Sequence, residues 1–209
     1  MTFRKIAIIA LTVAVATGAL AAATPLGRDL LFHVVPIRWT GEADRLVGAV
    51  QLAPGDTVAD IGGGDGRLIA ELAAIVGSSG RAYATERSEE KRRRIAATAR
   101  AADVAVTLVE AGEQNTGLPD ACCDVITMRM VLHHVTNHVA FAADLRRSLR
   151  AGGRLAIIDF KPGALPHLAD DHGIDPNSVT DVMQKAGLDL TSRDERWGGG
   201  NYLLIFRAR

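Results

Sequence analysis

The 209 residues carry no surplus of either charge, with 24 lysines and arginines against 24 aspartates and glutamates. Without a basic excess, nothing in the composition calls for a nucleic acid or an anionic membrane surface. Aromatic residues make up only 4% of the chain, so stacking platforms for bases are scarce as well. Cysteine is almost absent. The two present, Cys122 and Cys123, are adjacent, and vicinal cysteines rarely meet disulfide geometry, so no framework of bridges is expected. They read as small residues leading into a strand rather than as a metal site. After residue 23 the chain shows no internal repeat and no low-complexity tract.

One long apolar run is present, residues 6–23, interrupted only by Thr12, Thr17 and Gly18 and preceded by Arg4 and Lys5. A basic start, an apolar stretch and small residues at 19–21 or 21–23 match a secretory signal with an A-x-A cleavage site. The run is also close to the ~18–20 residues that cross a bilayer. Residues 1–23 are therefore expected to be a signal peptide or a membrane anchor, which places the rest in the periplasm or at the inner membrane. The alternative is an apolar helix on a cytoplasmic protein. Residues 24–41, with Pro25 and Pro36, read as a linker, and 42–209 as one domain.

That domain is organised around 58–67, VADIGGGDGR. An apolar run over 57–61 ends in glycines, and an alanine- and leucine-rich stretch with helical spacing follows over 68–76. Strand, glycine turn and helix open a nucleotide-binding α/β unit. The dinucleotide fingerprint fails because position 67 is Arg, and no Lys-Ser or Lys-Thr completes a phosphate loop. The pattern present is Asp60, Gly62, Gly64 and Gly66 at alternate positions. It resembles motif I of the class I S-adenosylmethionine-dependent methyltransferases.

Further features follow in the family's order. Glu86 stands 26 positions beyond Asp60 at the end of a second strand over 81–85, where a carboxylate can accept hydrogen bonds from both ribose hydroxyls. Ser88 is placed to cap a helix over 89–101, with the basic run 91–94 as its solvated face. A third strand is expected over 104–109. The segment 118–124, LPDACCD, is similar to the family's approach to its fourth strand, expected over 124–128. The stretch LRAGGRLAIIDF at 149–160 is similar to its L-K-P-G-G-x-L segment, with 151–153 ending a helix over 141–149 and a fifth strand over 154–160. The polar segment 161–177 carries His167, Asp170, Asp171 and His172 and reads as part of an acceptor pocket or a lid. A helix over 178–186 and strands over 188–193 and 202–207 close the domain.

The resemblance implies an α/β fold, a Rossmann-like three-layer sandwich of about seven mostly parallel strands with the last antiparallel. It implies S-adenosyl-L-methionine as cofactor and methyl transfer to an acceptor that the sequence does not identify, with a small molecule expected and a quinone-like lipid or a protein side chain also compatible. Gly62, Gly63 and Gly64 would give close cofactor approach, with Asp65 beside them. Asp60 would order the loop and the methionine moiety, Glu86 would hold the ribose, and Glu113 the adenine, with Gly112 standing where the family usually has an acid. Arg129 and Met130 follow the fourth strand and would face the methyl donor. His133 or His134 would serve as general base where an acceptor must lose a proton. His134 and His138 are one helical turn apart in number, but no third ligand is evident and no metal is expected. No nucleic-acid partner is expected, oligomeric state is open, and any membrane association would run through residues 1–23. The rival readings are a non-catalytic module that binds S-adenosylmethionine and a nicotinamide-dependent reductase, against which Arg67 counts.

Overall fold

The central strand segments are apolar at successive positions, which suits a sheet covered on both faces. In the computed structural model of the chain, residues 41–163, 173–198 and 200–209 are described. The expected leader, the linker up to residue 40 and residues 164–172 of the polar segment, with their two histidines and two aspartates, lie outside the described residues. Seven strands pair into one sheet ordered β3-β2-β1-β4-β5-β7-β6. They are β1 (Thr57–Ile61), β2 (Arg81–Glu86), β3 (Thr107–Glu110), β4 (Cys123–Arg129), β5 (Leu149–Phe160), β6 (Leu188–Gly198) and β7 (Asn201–Ala208). Strands β1 to β5 pair in parallel, and β7 runs antiparallel between β5 and β6. The expected fold, mostly parallel with the last strand reversed, is the one found.

The period of two along each strand divides the apolar side chains between two layers. Val58, Val125, Ala156, Ile158, Leu203 and Ile205 join one core with Leu46 and Val50 of α1 (Glu42–Val50), Ile69 and Leu72 of α2 (Arg67–Val76) and Ile95 of α3 (Glu89–Ala101). Ala59, Ile126, Met128, Leu155, Ile157, Leu204 and Phe206 join the other with Phe141 and Leu145 of α4 (His138–Ser148) and Val179 and Met183 of α5 (Pro176–Lys185). The helix ends have local causes. Ser88 caps α3 by accepting from the Lys91 N–H at 3.4 Å, as its spacing predicts. Asn137 caps α4 and Asp175 caps α5, with Pro176 in the first turn, where a missing N–H costs nothing.

Several expectations need correction. The third strand is shorter and later than 104–109, and α4 and α5 start earlier than 141 and 178 because their polar caps lie upstream. Gly152 and Gly153 do not end a helix. They lie inside β5, whose first residue Leu149 already pairs with Cys123 before a register shift leads to Arg154 opposite Val125. The sixth strand runs past the expected 193 to Gly198 and takes in Trp197, with the Arg45 guanidinium 4.0 Å over its ring. The two cysteines are joined as a vicinal disulfide, leaving no free cysteine among the described residues. They sit at a kinked entry to β4, after Ala121 at φ 45° and before the register shift at Val125.

Tyr202 is fully buried opposite Asp159 of β5, and its hydroxyl has no hydrogen-bond partner. Burial, reinforced by the charges of Asp159 and Asp175, raises its pKa far above the ordinary 10.0. An unfolded chain would ionise this tyrosine near its ordinary value while the folded chain would not. Its contribution to stability is therefore complete below that pH and falls above it by about 1.4 kcal/mol per pH unit. Tyr202→Phe should be at least as stable as the parent at neutral pH, since it loses only an unpartnered hydroxyl. Between pH 10 and 11 its stability should decline by about 1 kcal/mol less than that of the parent. Urea titrations across this range test both statements, and an unchanged alkaline slope would contradict them.

Candidate functional site

In an open α/β sheet a ligand crevice forms beyond the carboxyl ends of the strands, where the strand order reverses. Here the reversal falls between β1 and β4. The turn that leaves β1 is hung from β2, because the Gly62 and Gly63 N–H groups both donate to the Thr85 carbonyl, at 2.9 and 3.1 Å. Gly62 has φ +69°, and a Cβ there would stand 2.5 Å from Val131 Cγ2. Gly66 caps α2 at φ +82°, and its missing Cβ would lie 2.8 Å from the Ile95 Cα. Glycine at 62 thus answers to backbone conformation and to protein packing, so the sequence-based reason, close approach of a ligand, is incomplete. After β4 the chain turns through Met130 at φ 55°, whose N–H donates to the Ile158 carbonyl at 2.7 Å. This turn delivers Val131 onto Gly62.

The result is a pocket of about 400 Å³, within the range of roughly 300–1,000 Å³ usual for small-molecule sites. Asp60, Gly62, Gly63, Gly64, Asp65, Glu86, Glu113, Arg129, Met130 and His134 all line it. His133 does not. Its ring turns away, with Nδ1 2.6 Å from Asp159 Oδ1.

The acids differ in what already engages them. Asp60 is 3% exposed and accepts from the Thr127 hydroxyl at 2.8 Å. Glu86 Oε1 accepts the N–H groups of Arg87 and Ser88 at 2.9 and 3.3 Å, and Lys91 Nζ lies 3.8 Å from Oε2. The carboxylate is therefore aimed by the backbone with only a long ion pair on its other oxygen. Asp65 is committed to the start of α2, accepting the Arg67 N–H and pairing with its guanidinium, both at 3.1 Å. Glu113 stands in a turn closed by the Gly112 N–H on the Asn115 carbonyl at 3.0 Å.

Sequence reasoning missed several wall residues. Thr85 is fully buried on the pocket wall, and its hydroxyl has no partner. Arg87 and Lys91 also line the pocket. The basic run is accordingly only half a solvated face. Arg93 and Arg94 pair with Glu89 and Glu90 one turn back, but Arg92 donates to the Glu86 and Arg87 carbonyls, both at 2.8 Å. Val131, Val135 and Phe141 form an apolar side beside His134. Phe141 had a helical assignment and no other signal. His134 belongs to a 3-10 turn (Leu132–His134) and His138 begins α4, so the two do not share a helix face. Among the described residues no group of three or more histidine, cysteine or acidic side chains could hold a metal ion.

Residues 59–157, which carry the turn after β1, Glu86, Glu113 and the His134 turn, match the family described as "Methyltransferase domain". The chain is 32% identical over 139 residues to a 2-phytyl-1,4-naphtoquinone methyltransferase of Trichormus variabilis, covering 65% of this chain and 56% of that one. It is 33% identical over 115 residues to a ubiquinone/menaquinone biosynthesis C-methyltransferase of Ectopseudomonas mendocina, covering 53% and 44% respectively. The chain thus spans about half the length of these curated relatives. A solved S-adenosylmethionine-dependent methyltransferase of Aquifex aeolicus superposes with a TM-score of 0.70 at 24% identity, over 83% of this chain and 94% of that one, and shares the fold.

The Gly62–Val131 contact gives a direct test. Gly62→Ala should cost about 2–4 kcal/mol, combining an overpacked contact with a side chain at positive φ. Val131→Ala in the same chain should return part of that loss, with a coupling of at least ~1 kcal/mol in a double-mutant cycle read by denaturant unfolding. Strict additivity would show that the two positions do not meet.

Proposed function

We propose that the chain is an S-adenosylmethionine-dependent methyltransferase whose acceptor is a small lipophilic molecule with an ionisable hydroxyl, of the quinol class. The observation that carries the reading is the pocket between β1 and β4, where one wall is acidic and hydrogen-bonding and the other is apolar with a single histidine. The match to the methyltransferase domain supports the cofactor and the chemistry. The two curated relatives, named as quinone methyltransferases, support the acceptor class.

The residues fit the cofactor on features of the pocket itself. The turn at 62–64, which carries no side chains, lines the pocket, as do Thr85, whose buried hydroxyl has no partner, and Glu86, whose carboxylate is already oriented by two N–H groups. Glu86 accepts from the ribose hydroxyls, Glu113 from the adenine amino group, and Asp60 orders the turn and faces the methionine end. Asp65 contributes through the turn it fastens rather than through a carboxylate of its own. Arg129 and Met130 close the wall at the end of β4.

When bound, S-adenosylmethionine supplies a methyl group on an already activated sulfonium. The chain has then to align the acceptor and keep water out. Val131, Val135 and Phe141 supply the dry apolar side that would receive a lipophilic ring. A neutral quinol carbon or oxygen becomes a good nucleophile once its hydroxyl proton leaves, and His134 takes that proton. A retained anchor at residues 1–23 suits such an acceptor better than a cleaved signal, because a lipid-soluble substrate is met in the bilayer.

Calorimetric titration of the full chain should show binding of S-adenosylmethionine and S-adenosylhomocysteine. Methyl-labelled cofactor with 1,4-naphthoquinol, kept reduced, should then yield labelled product. Glu86→Ala should weaken S-adenosylhomocysteine binding by about ten- to hundredfold, the loss of roughly 1.5–3 kcal/mol for hydrogen bonds to a charged group. Unchanged affinity would remove the ribose assignment. Binding without transfer to any acceptor would favour the non-catalytic module, and no binding by a folded sample would end the enzyme reading.

A further inference from the structure

Beyond the pocket, the end of β5 carries a polar group that the reading so far leaves without a purpose. Asp159 is completely buried. A carboxylate there is costly unless something compensates it, and an apolar side chain of similar size would often serve the fold better. Its hydrogen bonds show where it is directed. Oδ1 lies 2.6 Å from His133 Nδ1 and also accepts the Phe160 N–H at 2.8 Å, while Oδ2 accepts the His133 N–H at 3.3 Å. Tyr202 is the register partner of Asp159 on β7, yet its hydroxyl bonds to nothing. The carboxylate is thus aimed at His133 and not at the phenol on the adjoining strand.

This grip has two effects. A carboxylate on Nδ1 fixes that nitrogen as the proton-bearing one and sets the plane of the ring. Holding both the N–H and the ring of His133 also pins the turn Leu132–His134 to the end of β5. The His133 ring, only 7% exposed as a side chain, then packs on His134 with centroids 4.0 Å apart at 52°, and on Phe160 at 5.7 Å. His134 is the histidine on the pocket wall.

We propose that Asp159 is a positioning residue: through His133 it holds His134 at the pocket wall in the orientation that takes the acceptor's proton. The inference rests on the reading of His134 as general base. The proton moves from the acceptor hydroxyl to His134, the acceptor's electron pair forms the new bond to the methyl carbon, and the carbon–sulfur bond breaks to leave a neutral thioether. Asp159 and His133 exchange nothing in this step.

The test uses the full chain, methyl-labelled S-adenosylmethionine and 1,4-naphthoquinol as probe. Asp159→Asn should lower kcat by roughly 10- to 100-fold, the scale of loss when a reacting group is misplaced by about 1 Å. The affinity for S-adenosylhomocysteine should stay within about twofold, because the cofactor wall is built from other strands. His133→Gln should lose a similar factor. The double variant should lose no more than the worse single one, since the two side chains act as a unit. Wild-type kcat in Asp159→Asn, a parallel loss of cofactor affinity, or losses that multiply in the double variant would each overturn the proposal. His133→Gln carries the same comparison if Asp159→Asn does not fold.

Should the parent chain bind S-adenosylhomocysteine but transfer no methyl group to the probe, the acceptor reading fails by itself. Positioning is then read from the imidazole nitrogen resonances of the S-adenosylhomocysteine complex. Asp159→Asn should shift those of His134 as well as those of His133. Unmoved His134 resonances would overturn the inference.

Discussion

Val131 occupies the space over Gly62 where a side chain would otherwise stand, with Cγ2 2.5 Å from the position of a Cβ. That contact fastens the turn after β1 to the turn after β4. The Gly62 and Gly63 N–H groups fasten the same turn to the end of β2 through one carbonyl, that of Thr85. Three strand ends are therefore held in register by a loop that contributes no bulk of its own. The pocket is the volume this arrangement leaves open, so the acids, the apolar wall and the histidine depend on it for their spacing. A residue forced to positive φ at 130 completes the frame, tied to β5 by its N–H. Non-glycine residues in that conformation cost free energy and persist where surrounding contacts determine them.

Around this frame the fold buries acids near the ends of β1, β2 and β5, and each has hydrogen-bond donors aimed at it. Asp60 has a hydroxyl, Glu86 has two backbone N–H groups, and Asp159 has an imidazole and two N–H groups. Glu86 and Asp159 in particular are held by backbone N–H groups, while close ion pairs with lysine or arginine are common elsewhere on the surface. Exposed salt bridges contribute little and leave their side chains free to move. Hydrogen bonds from the backbone fix a carboxylate's direction, and direction is what a site for neutral hydroxyl or amino groups needs. Asp124, at the opposite end of β4, is clamped by Arg150 at 2.7 and 2.9 Å while accepting the Thr57 N–H, and so ties β1 to β4 away from the pocket.

What could be read from the sequence was what depends on neighbours along the chain. The turn at 62–66 was legible because glycine at alternate positions after an acid is a local requirement of a strand, a tight turn and a helix start. Ser88 was legible for the same reason. Asn137 and the Asp175–Pro176 pair were equally local cap signals, and their helices start where those caps place them. Other features depend on distant contacts. Gly152 and Gly153 resemble a helix stop, yet β5 begins at Leu149 because Cys123 across the sheet pairs with it. Arg92 stands in a basic run that reads as solvated, yet the carbonyls at the end of β2 draw it inward. His133 and His134 are indistinguishable by spacing. Only Asp159, 26 positions later, turns one away from the pocket and leaves the other on its wall.

The division between the two halves of the pocket bears on where specificity resides. Segment 59–157, which matches the methyltransferase domain, ends two residues before Asp159 and includes neither Asn201 nor Tyr202. On the proposed reading, the cofactor constrains the strand ends that would touch it, those of β1, β2 and β4. The acceptor imposes no common constraint, so the residues that receive it are free to differ from one chain to the next. This chain places a buried carboxylate at the end of β5, beside a tyrosine on β7 whose hydroxyl has no hydrogen-bond partner. A methyl donor alone gives no reason for that expenditure of polar groups, because transfer from a sulfonium needs alignment and dryness more than charge. The proposed acceptor, which must lose a proton before it can attack, would give one.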